Sequence, residues 1–560
     1  MIVGIDLGTT NSLVGYYSEN GPVIIPNRWG KNLTPSVVSV DEEGNVYVGE
    51  SARERMSLYP DTVASTFKRS MGTEREYVLS GKKYSAVDLS AMVLKSLKED
   101  AEKYLGEEVT EAVITVPAYF DDNRRKATKK AGELIGLKVE RMISEPTAAA
   151  VAYGVFDKNK DSKILVFDLG GGTFDVSILE LFHNIIEVRA VAGDNYFGGE
   201  DFTEALVKLF LQKIQKPYSA LSEKEKVRLN KAAEKAKKEL GDEASVEMKV
   251  LIGDEEIKEV ITKKKYEETL EELLLKIREP VKRSLSDADL KISDIDEIIL
   301  IGGATRLSIV RDYLIKLFRK FPNSGLNPDE TVCIGAAIQG AMKERKEDVK
   351  ETILTDVCSY TLGTEVSVEY EEDKYEDGRY CPIIERNTVI PASHTERFYT
   401  VRDNQSKIRI AVYQGESRLV RNNLFLGEMN IDIPKGPKGK ESVDVTYTYD
   451  INSLLEVEAK VISTGVSKKM IIKGVQNTMS DEEIEKRMEE LAYLKIQPKE
   501  IEENKIVLLR AERMYEESLG DRRQKINLYL SKFEIALEKG DHNEIDNARD
   551  ELVKILDDEE

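Results

Sequence analysis

The sequence predicts a multidomain protein: a layered α/β domain with duplicated halves, then an all-β domain and a short α-helical C-terminal region. At 560 residues the chain is too long for a single hydrophobic core. Apolar β-branched runs alternate with helical patterns up to about Lys346, helical patterns almost vanish after residue 350, and they return near the C-terminus. The expected boundaries are 1–346 for the α/β domain, 347–357 for a linker, 358–477 for the β-domain and 478–560 for the helices.

The first domain is expected to pack helices on sheets. Its predicted buried strands are EAVITVPAYF, KILVFDLG, IIEVRAVAG and DEIILIGGATR, which are apolar and rich in β-branched residues. Amphipathic helices are predicted at AVDLSAMVLKSLKEDAEKYL and RRKATKKAGELIG. Such alternation is typical of a layered α/β architecture.

The two later regions show different periodicities. In KIRIAVYQGE, Ile408, Ile410 and Val412 alternate with charged or small residues, which predicts a strand with one buried face. A β-hairpin with its turn at Asp450–Ser453 is predicted from facing apolar residues, namely Val443, Val445, Tyr447, Tyr449, Leu455, Val457 and Val461. After a favourable helix cap at Ser480, an αα-hairpin turning at Gly540–Asp541 is predicted. Its apolar stripes are Ile526, Leu530, Phe533, Leu537 and Ile545, Ala548, Leu552, Ile555.

Composition argues against several classes of function. No apolar run approaches the roughly 20 residues of a membrane helix, and the N-terminus leads directly into a predicted strand rather than a signal peptide. A net charge of −21 argues against electrostatic capture of nucleic acid. Three cysteines without CxxC spacing indicate a reducing compartment, which we expect to be the cytoplasm, and three dispersed histidines form no zinc pattern.

One pattern occurs twice, about 160 residues apart. MIVGIDLGTTNSLVGY and ILVFDLGGGTFDVSIL each join two apolar runs through Asp-Leu-Gly and a Gly/Thr turn. Glycines let backbone N–H groups approach a phosphate, and an aspartate at a strand end can hold hydrated Mg²⁺. Two such hairpins facing each other would enclose a metal–nucleotide complex. The chain has neither a P-loop nor a strand-linked GxGxxG pattern, and LIGGATR offers a further turn suited to a base or ribose.

Seven motifs occur over about 340 residues: GIDLGTTNS, TVPAYF, SEPTAAAVAYG, DLGGGTFDVS, GGEDF, IGGATR and NPDETVCIGAA. Together they resemble the ATPase domain of the seventy-kilodalton heat-shock chaperones, which has the actin-like, ribonuclease H-like fold also found in sugar kinases. DNQS, VYQGE and LGEMNI resemble the family's β-sandwich peptide-binding domain. The helical tail is short and ends in DDEE, which implies a shortened lid and is most similar to the specialised HscC-like bacterial branch.

The resemblance implies an ATPase site. The implied catalytic residues are Lys68, Glu145, Thr173 and Asp175. Lys68 would stabilise charge at the γ-phosphoryl group, and the two carboxylates would surround the attacking water. Asp6 and Asp168 would hold Mg²⁺ through water. The implied nucleotide-binding residues are Thr9, Thr10, Gly170, Gly171, Gly172, Gly198, Gly199, Glu234, Lys237, Lys238, Gly303, Arg306 and Asp329.

This chain departs from the vertebrate cytosolic pattern on the adenosine side. Lys238 stands where an arginine stacks on the base, and Gly241 and Ala304 stand where serines occur. Because an ammonium group stacks less well than a guanidinium group, we expect a weaker grip on adenosine.

The resemblance also implies a peptide site and a path that couples it to the nucleotide. The peptide-binding residues would be Thr364, Val366, Ser367, Phe398, Val401, Ile408 and Ile410. From pattern alone, Phe398 and the isoleucines could equally be ordinary β-core. Coupling would run from Pro117 and Arg125 to the linker residues Ile353, Leu354 and Asp356. The linker has fewer leucines than is usual in the family, so we expect weaker coupling.

The function implied is an ATP-dependent molecular chaperone whose slow, co-chaperone-stimulated ATP hydrolysis controls binding and release of extended hydrophobic segments. ATP or ADP, Mg²⁺ and K⁺ are the expected cofactors. Unfolded or client polypeptides, a J-domain co-chaperone and a nucleotide exchange factor are the expected partners, with no nucleic acid or membrane. Two alternatives stay open: a small-molecule kinase of the same fold, and a nucleotide-binding scaffold that forms filaments without turnover.

Overall fold

The structure is a computed structural model of the chain. It describes residues 1–156, 162–182, 185–323, 325, 327–344, 353–371, 374–390, 392–449, 455–472, 499–518, 520–539 and 542–559. The predicted cap at Ser480, the turns at Asp450–Ser453 and Gly540–Asp541 and the start of the linker lie outside these residues. None of the helices in the described ranges is long and apolar enough to cross a membrane.

Strands and helices alternate through the first 343 residues. The strands are β1 (Ile2–Asp6), β2 (Asn11–Ser18), β3 (Gly21–Ile25), β4 (Thr34–Pro35), β5 (Val37–Val40), β6 (Val46–Val48), β7 (Val63–Ser65), β8 (Glu76–Leu79), β9 (Lys82–Ser85), β10 (Glu111–Val116), β11 (Lys138–Ser144), β12 (Ser162–Leu169), β13 (Phe174–Phe182), β14 (Ile185–Asp194), β15 (Ser245–Ile252), β16 (Glu255–Thr262) and β17 (Glu297–Ile301). The helices are α1 (Glu50–Leu58), α2 (Ala86–Leu105), α3 (Asp122–Glu133), α4 (Glu145–Phe156), α5 (Gly199–Lys213), α6 (Glu223–Glu239), α7 (Lys263–Asp287), α8 (Ser308–Phe318) and α9 (Thr331–Lys343).

Helix α2 coincides with its predicted segment and shows why that segment is helical. Ser85 accepts a hydrogen bond from the Asp88 N–H, and the Asp88 carboxylate accepts one from the Ser85 N–H, which forms a capping box. Gly106 ends the helix at φ 71°, where glycine is favoured. The buried face packs on the first sheet through residues such as Leu89 and Val93.

Two sheets in this region share one pairing pattern. The first has the order β11-β10-β1-β2-β3, and the second contains β17-β12-β13-β14. Each is built around an antiparallel hairpin, β1–β2 or β12–β13, whose first strand also pairs in parallel with a later strand, β10 or β17. The repeated sequence pattern therefore corresponds to a repeated structural unit, and we call the two units the first half and the second half.

Helices α4 and α9 join the two halves. They pack closely, because a Cβ atom added at Gly335 would lie 1.8 Å from the Ala148 carbonyl oxygen. Around this crossing a buried cluster mixes residues from both halves, including Val113 of β10 and Val166 of β12. The crossing leaves both hairpin tips on the same side of the molecule, where they meet.

The next region is a β-sandwich preceded by a strand. The strands are β18 (Ile353–Val357), β19 (Leu362–Glu371), β20 (Lys374–Ile384), β21 (Val389–Ile390), β22 (Ala392–Tyr399), β23 (Lys407–Gln414), β24 (Leu424–Asp432), β25 (Ser442–Tyr449), β26 (Leu455–Val461) and β27 (Ser467–Ile472). One sheet has the order β20-β19-β23-β24 and the other β22-β25-β26-β27. The predicted hairpin is present as β25–β26, with Tyr447 opposite Val457, and its predicted apolar residues are buried.

Within the described residues from 499 onward there are three helices: α10 (Lys499–Glu517), α11 (Gly520–Lys539) and α12 (His542–Glu559). Their common core contains the predicted Ile526, Leu530, Phe533 and Leu552. In the last turn Leu556 is fully buried and the predicted Ile555 is only half-buried, so the stripe is corrected by one position. The side chains of Leu537 and Ile545 lie outside the described residues.

Candidate functional site

The tips of the two repeated hairpins touch each other. Thr9 and Thr10 lie between β1 and β2, and Gly170–Thr173 lie between β12 and β13. A Cβ atom added at Gly171 would lie 1.8 Å from Thr10 Oγ1, so this approach requires glycine. The predicted phosphate-binding residues of both halves are therefore in contact.

The start of α5 packs against the second hairpin. The Gly199 N–H donates to the Gly170 carbonyl over 2.8 Å, and the Glu200 N–H donates to the Gly171 carbonyl over 2.9 Å. A Cβ atom at Gly198 would lie 2.6 Å from Gly172 N. The predicted glycines thus form one continuous loop surface at a helix N-terminus, where the helix dipole favours anions.

An ion pair is buried beside the hairpins. Lys68 Nζ donates to Glu145 Oε1 over 2.8 Å, and the Lys68 side chain is 3% exposed. Lys68 belongs to a short 3₁₀ turn that follows β7, and Glu145 is the first residue of α4. At the end of β1, Asp6 accepts a hydrogen bond from Thr115 Oγ1 over 2.9 Å. Residues that are far apart in the sequence therefore meet at the ends of the central strands.

The carboxylates of the site are electrostatically crowded. Burial, reinforced by the charge of Glu145, raises the pKa of Asp6 to about 7 and the pKa of Asp175 to about 8. Burial, followed by the charges of Glu145 and Asp175, also raises the pKa of Asp168 well above its usual value. The ammonium group of Lys68 lowers the pKa of Asp6 and Asp175 but does not cancel this rise.

These residues fit a hydrated divalent cation beside a phosphate chain. Asp168, Asp175 and Glu145 are buried and Asp6 is half-buried, and Asp175 Oδ2 has no hydrogen-bond partner among the described residues. A cation would relieve the repulsion that raises these pKa values. No three His, Cys, Asp or Glu side chains in the described part of the chain converge to ligate a metal directly. The fit is therefore to an ion that keeps its waters, as predicted for Asp6 and Asp168.

The predicted adenosine-side residues lie on α6 and on the turn after β17. Glu234 lies on α6 with Lys238, whose side chain is 73% exposed and whose Nζ is 3.4 Å from Glu234 Oε1. Lys237 is buried and donates to the Gly199 carbonyl and to Thr203 Oγ1, each over 2.9 Å. Lys237 thus joins α6 to the glycine loop, which is a positioning role that the sequence does not reveal.

The other predicted adenosine-side residues, Gly303, Arg306 and Asp329, lie together around an ion pair. Arg306 Nε donates to Asp329 Oδ2 over 2.8 Å, and Arg306 Nη2 donates to Asn327 Oδ1 over 2.6 Å. A Cβ atom at Gly303 would lie 3.1 Å from Asp329 Oδ1, so these three predicted residues are neighbours.

Arg69, next to Lys68, is a site residue that sequence reasoning missed. Its Nε donates to the Gly172 carbonyl over 2.9 Å, and its Nη2 lies 3.1 Å from Asp201 Oδ2 on α5. Arg69 therefore connects the first half to the loop and helix of the second half. Its position beside Lys68 was the available signal.

The predicted peptide-binding residues divide by burial. Thr364 and Ile410 are buried in the sandwich, and Thr364 Oγ1 donates to the Ala411 carbonyl over 2.9 Å. The remaining predicted positions, Val366, Ser367, Phe398, Val401 and Ile408, are half-buried on β19, β22, β23 and the loop after β22. The half-buried side chains at these positions leave part of their surface available to an extended peptide.

The predicted switch segment contacts both the ATPase site and the β-sandwich. The backbone N–H groups of Tyr119 and Ala118, just after Pro117, lie close enough to the Asp175 carboxylate to lower its pKa. The carbonyl of Ala118 accepts a hydrogen bond from Ser359 Oγ over 2.7 Å, and the carbonyl of Tyr119 accepts one from the Tyr360 hydroxyl over 3.1 Å.

The predicted relay arginine and the linker lie beside this segment. Arg125 is buried and donates to the carbonyls of Ala118 and Phe120. Burial raises the pKa of Asp356, and the charges of Arg125 and Arg141 oppose that rise. Strand β18, which contains Ile353, Leu354 and Asp356, pairs in parallel with β14, so part of the predicted linker extends the second sheet.

An ion pair outside the predicted set also joins the two regions. Arg386 Nε and Nη2 donate to the two carboxylate oxygens of Asp287, on α7, over 2.9 and 3.0 Å. Asn387 Nδ2 also donates to Asp287 over 2.9 Å. The two residues follow β20 in the sandwich, and nothing in the sequence pattern indicated this pairing.

Comparisons with known proteins identify a matching family and similar chains. The family model described as Hsp70 protein matches residues 2–79 and 76–560. Chaperone protein DnaK of Thermotoga neapolitana is 41% identical over 516 residues, covering 90% of this chain and 85% of that protein. Chaperone protein DnaK of Thermosipho melanesiensis is 38% identical over 577 residues, covering 99% of this chain and 95% of that protein.

Proposed function

Because the chain belongs to the Hsp70 family and is an ATP-dependent chaperone with ATPase activity, we propose that the two hairpins form its hydrolysis site. In this proposal the loops around Thr10, Gly171 and Gly198 receive the phosphates. Lys68 offsets charge that develops on the γ-phosphoryl group, with Thr173 beside it, and Glu145 and Asp175 orient the attacking water. The contacts between the hairpin tips and the buried charges support these roles.

Members of the family bind ATP or ADP with Mg²⁺. In this chain Asp6 and Asp168 would hold the ion through water, and the ion would supply positive charge beside the phosphates. Asp175 would hold its water by Oδ2, which is buried and has no hydrogen-bond partner among the described residues. A role for K⁺ stays part of the proposal.

One observation carries the proposed coupling between hydrolysis and peptide binding. The backbone of Ala118 and Tyr119 lies beside Asp175 and lowers its pKa, and the carbonyl groups of the same two residues accept hydrogen bonds from the side chains of Ser359 and Tyr360. A change at Asp175 when the γ-phosphate leaves would shift this backbone and weaken its bonds to the sandwich. A ligand favours whichever arrangement of the protein it binds more tightly, so ATP and peptide would weaken each other's binding if they favour different arrangements.

The proposal assigns residues 1–346 to the nucleotide, 358–477 to extended hydrophobic segments of client polypeptides, 347–357 to the linker and 478–560 to a shortened lid. In it, Pro117, Arg125, Ile353, Leu354 and Asp356 transmit the nucleotide state. A J-domain co-chaperone, a nucleotide exchange factor, a cytoplasmic location and a closer likeness to the HscC-like branch also stay predictions.

The decisive experiment measures peptide affinity in two nucleotide states. A fluorescent, leucine-rich unfolded peptide is titrated with the full chain in ADP and in ATP, and single-turnover hydrolysis is followed in parallel. We expect tighter binding in ADP than in ATP. Equal affinity would contradict the coupling, and phosphate transfer to a metabolite or filament growth with ATP would favour one of the two alternative functions.

A further inference from the structure

Helix α10 of the C-terminal region lies across the line where the two halves approach each other. Helix α1 belongs to the first half and α6 to the second half, and the two are in contact. Helix α10 packs along α1 and also reaches the N-terminal end of α6. Side chains from a single turn of α10 therefore contact both sides of the cleft.

The contact with the first half is a buried ion pair. Arg513 of α10 is 4% exposed, and its Nε lies 2.6 Å from Oε2 of Glu54 on α1. Arg513 Nη1 also lies 3.7 Å from Glu517 Oε2, one turn further along α10. Burial raises the pKa of the Glu517 carboxyl, and the charges of Arg513 and Arg228 partly oppose that rise.

The contact with the second half is made by Glu516. Its Oε2 accepts a hydrogen bond from Lys224 Nζ over 3.3 Å, and it lies 3.9 Å from Nη2 of Arg228. Lys224 and Arg228 are one turn apart at the start of α6. The acidic side chain of α10 thus faces two basic side chains of α6, while Arg513 faces an acidic side chain of α1.

The far end of α6 carries nucleotide-site residues. Glu234, Lys237 and Lys238 lie in its last two turns, and Lys237 donates to the Gly199 carbonyl beside the phosphate loop. A movement of α6 away from α1 would carry these residues with it. A nucleotide enclosed between the halves can leave only after such an opening. A contact that holds the start of α6 in place therefore opposes release of the nucleotide.

We propose that Glu516 is a positioning residue for nucleotide retention: through Lys224 and Arg228 it ties α6 to α10, which Arg513 ties to α1. The helical region is then a brace across the nucleotide cleft, in addition to any part it has in peptide binding. The inference rests on the proposed function in one respect, since it takes docking of the helical region to depend on the bound nucleotide. By linkage, if the docked brace raises the affinity for ATP, ATP must stabilise the docked brace by the same factor.

The test uses full-length charge variants. Glu516→Lys replaces attraction to Lys224 and Arg228 with repulsion, and Lys224→Glu removes the same contact from the other side. The combination of both substitutions restores one opposite-charge pair. Glu551→Lys is the matched control, because it makes the same change in the same helical region, where Glu551 pairs with Lys532 of α11 at 3.6 Å.

The main readout is the dissociation rate of fluorescently labelled ATP, chased with unlabelled ATP within the first turnover, and of labelled ADP. We expect Glu516→Lys and Lys224→Glu to accelerate ATP release by roughly two- to fivefold, the range expected from partly exposed ion pairs. The double variant should recover at least part of this loss. ADP release should change less than twofold, and Glu551→Lys should leave both rates unchanged.

Unchanged ATP release in both single variants would overturn the inference. Equal acceleration of ATP and ADP release would also overturn it, because docking of the helical region would then not depend on the bound nucleotide. Thermal unfolding of each variant checks that the substitutions leave the fold intact. Failure of the proposed function is recognised separately, from wild-type peptide affinity that does not respond to nucleotide. A wild type that responds, together with unaltered ATP release in the variants, rejects the brace alone.

Discussion

Replacing Lys68 with methionine should remove most of the hydrolytic activity while leaving nucleotide binding largely in place. The side chain is buried, its Nζ lies 2.8 Å from Glu145 Oε1, and the Phe120 ring centroid is 5.7 Å away. Methionine preserves much of the volume and removes the charge, so packing against Phe120 is retained. The substitution therefore tests the electrostatic role rather than the shape of the site.

The expected size follows from two general magnitudes. Loss of one preorganised donor at a developing negative charge costs about 3–4 kcal/mol in the barrier, or about 100- to 1000-fold in turnover. Loss of one partner from a buried ion pair costs at most about 3–5 kcal/mol of folding free energy. The two losses are of similar size in free energy, so hydrolysis and folding stability have to be measured separately.

Single-turnover hydrolysis of preformed enzyme–ATP complex measures the first effect, and urea unfolding measures the second. Lys83→Met is the control, because Lys83 is 67% exposed on the surface hairpin β8–β9, where its Nζ forms an ion pair with Glu76 Oε2 at 2.7 Å. A Lys68→Met rate within tenfold of wild type would refute the assignment of Lys68 to the transition state. An equal loss in the Lys83 variant would show that the assay responds to charge in general.

Three further predictions concern coupling, pH and adenosine. Tyr360→Phe removes the hydroxyl that donates to the Tyr119 carbonyl but keeps the contact between the rings of residues 119 and 360. It should weaken the ATP-driven change in peptide affinity by about two- to tenfold. An unchanged ratio of peptide affinities in ADP and ATP would show that this hydrogen bond takes no part in the coupling. The pKa values of Asp6 and Asp175 are about 7 and about 8 in the folded protein, against about 4 in the unfolded chain. The folded protein therefore binds more protons than the unfolded chain, and the free energy of unfolding of the metal- and nucleotide-free protein should fall as pH rises from 5.5 to 8.5. Constant or rising stability in urea titrations over this range would contradict the prediction. Lys238→Arg should slow ADP dissociation a few-fold, because a guanidinium group stacks better on a base, and an unaltered rate would remove Lys238 from the adenosine contact.

The sequence predicted well what depends on local pattern. The hairpins could be found because each encodes two apolar strands and a glycine turn within about 16 residues, and the β25–β26 register followed from the alternation around Tyr447 and Val457. The sequence was less informative about individual side chains, because a lysine that contacts a ligand and a lysine that bonds to a backbone carbonyl look the same in a sequence. Lys237 was expected at the adenosine side but is buried on the Gly199 carbonyl. In the last turn of α12 the buried residue is Leu556 rather than the predicted Ile555, because residues four apart, such as Leu552 and Leu556, lie on the same face of a helix.

Contacts between distant parts of the chain carried no such signal, and their energetics explain why. Asp287 and Arg386 are 99 positions apart, and Lys224 and Glu516 are 292 apart. Each of these partly exposed pairs contributes about 1 kcal/mol or less, and the chain offers many other lysines and glutamates with equal intrinsic attraction. The shapes of the packed surfaces select the partners. Docking must therefore be the sum of many small terms, so single substitutions at the joint should shift coupling a few-fold, whereas a single charge lost beside the hairpins should change hydrolysis by orders of magnitude.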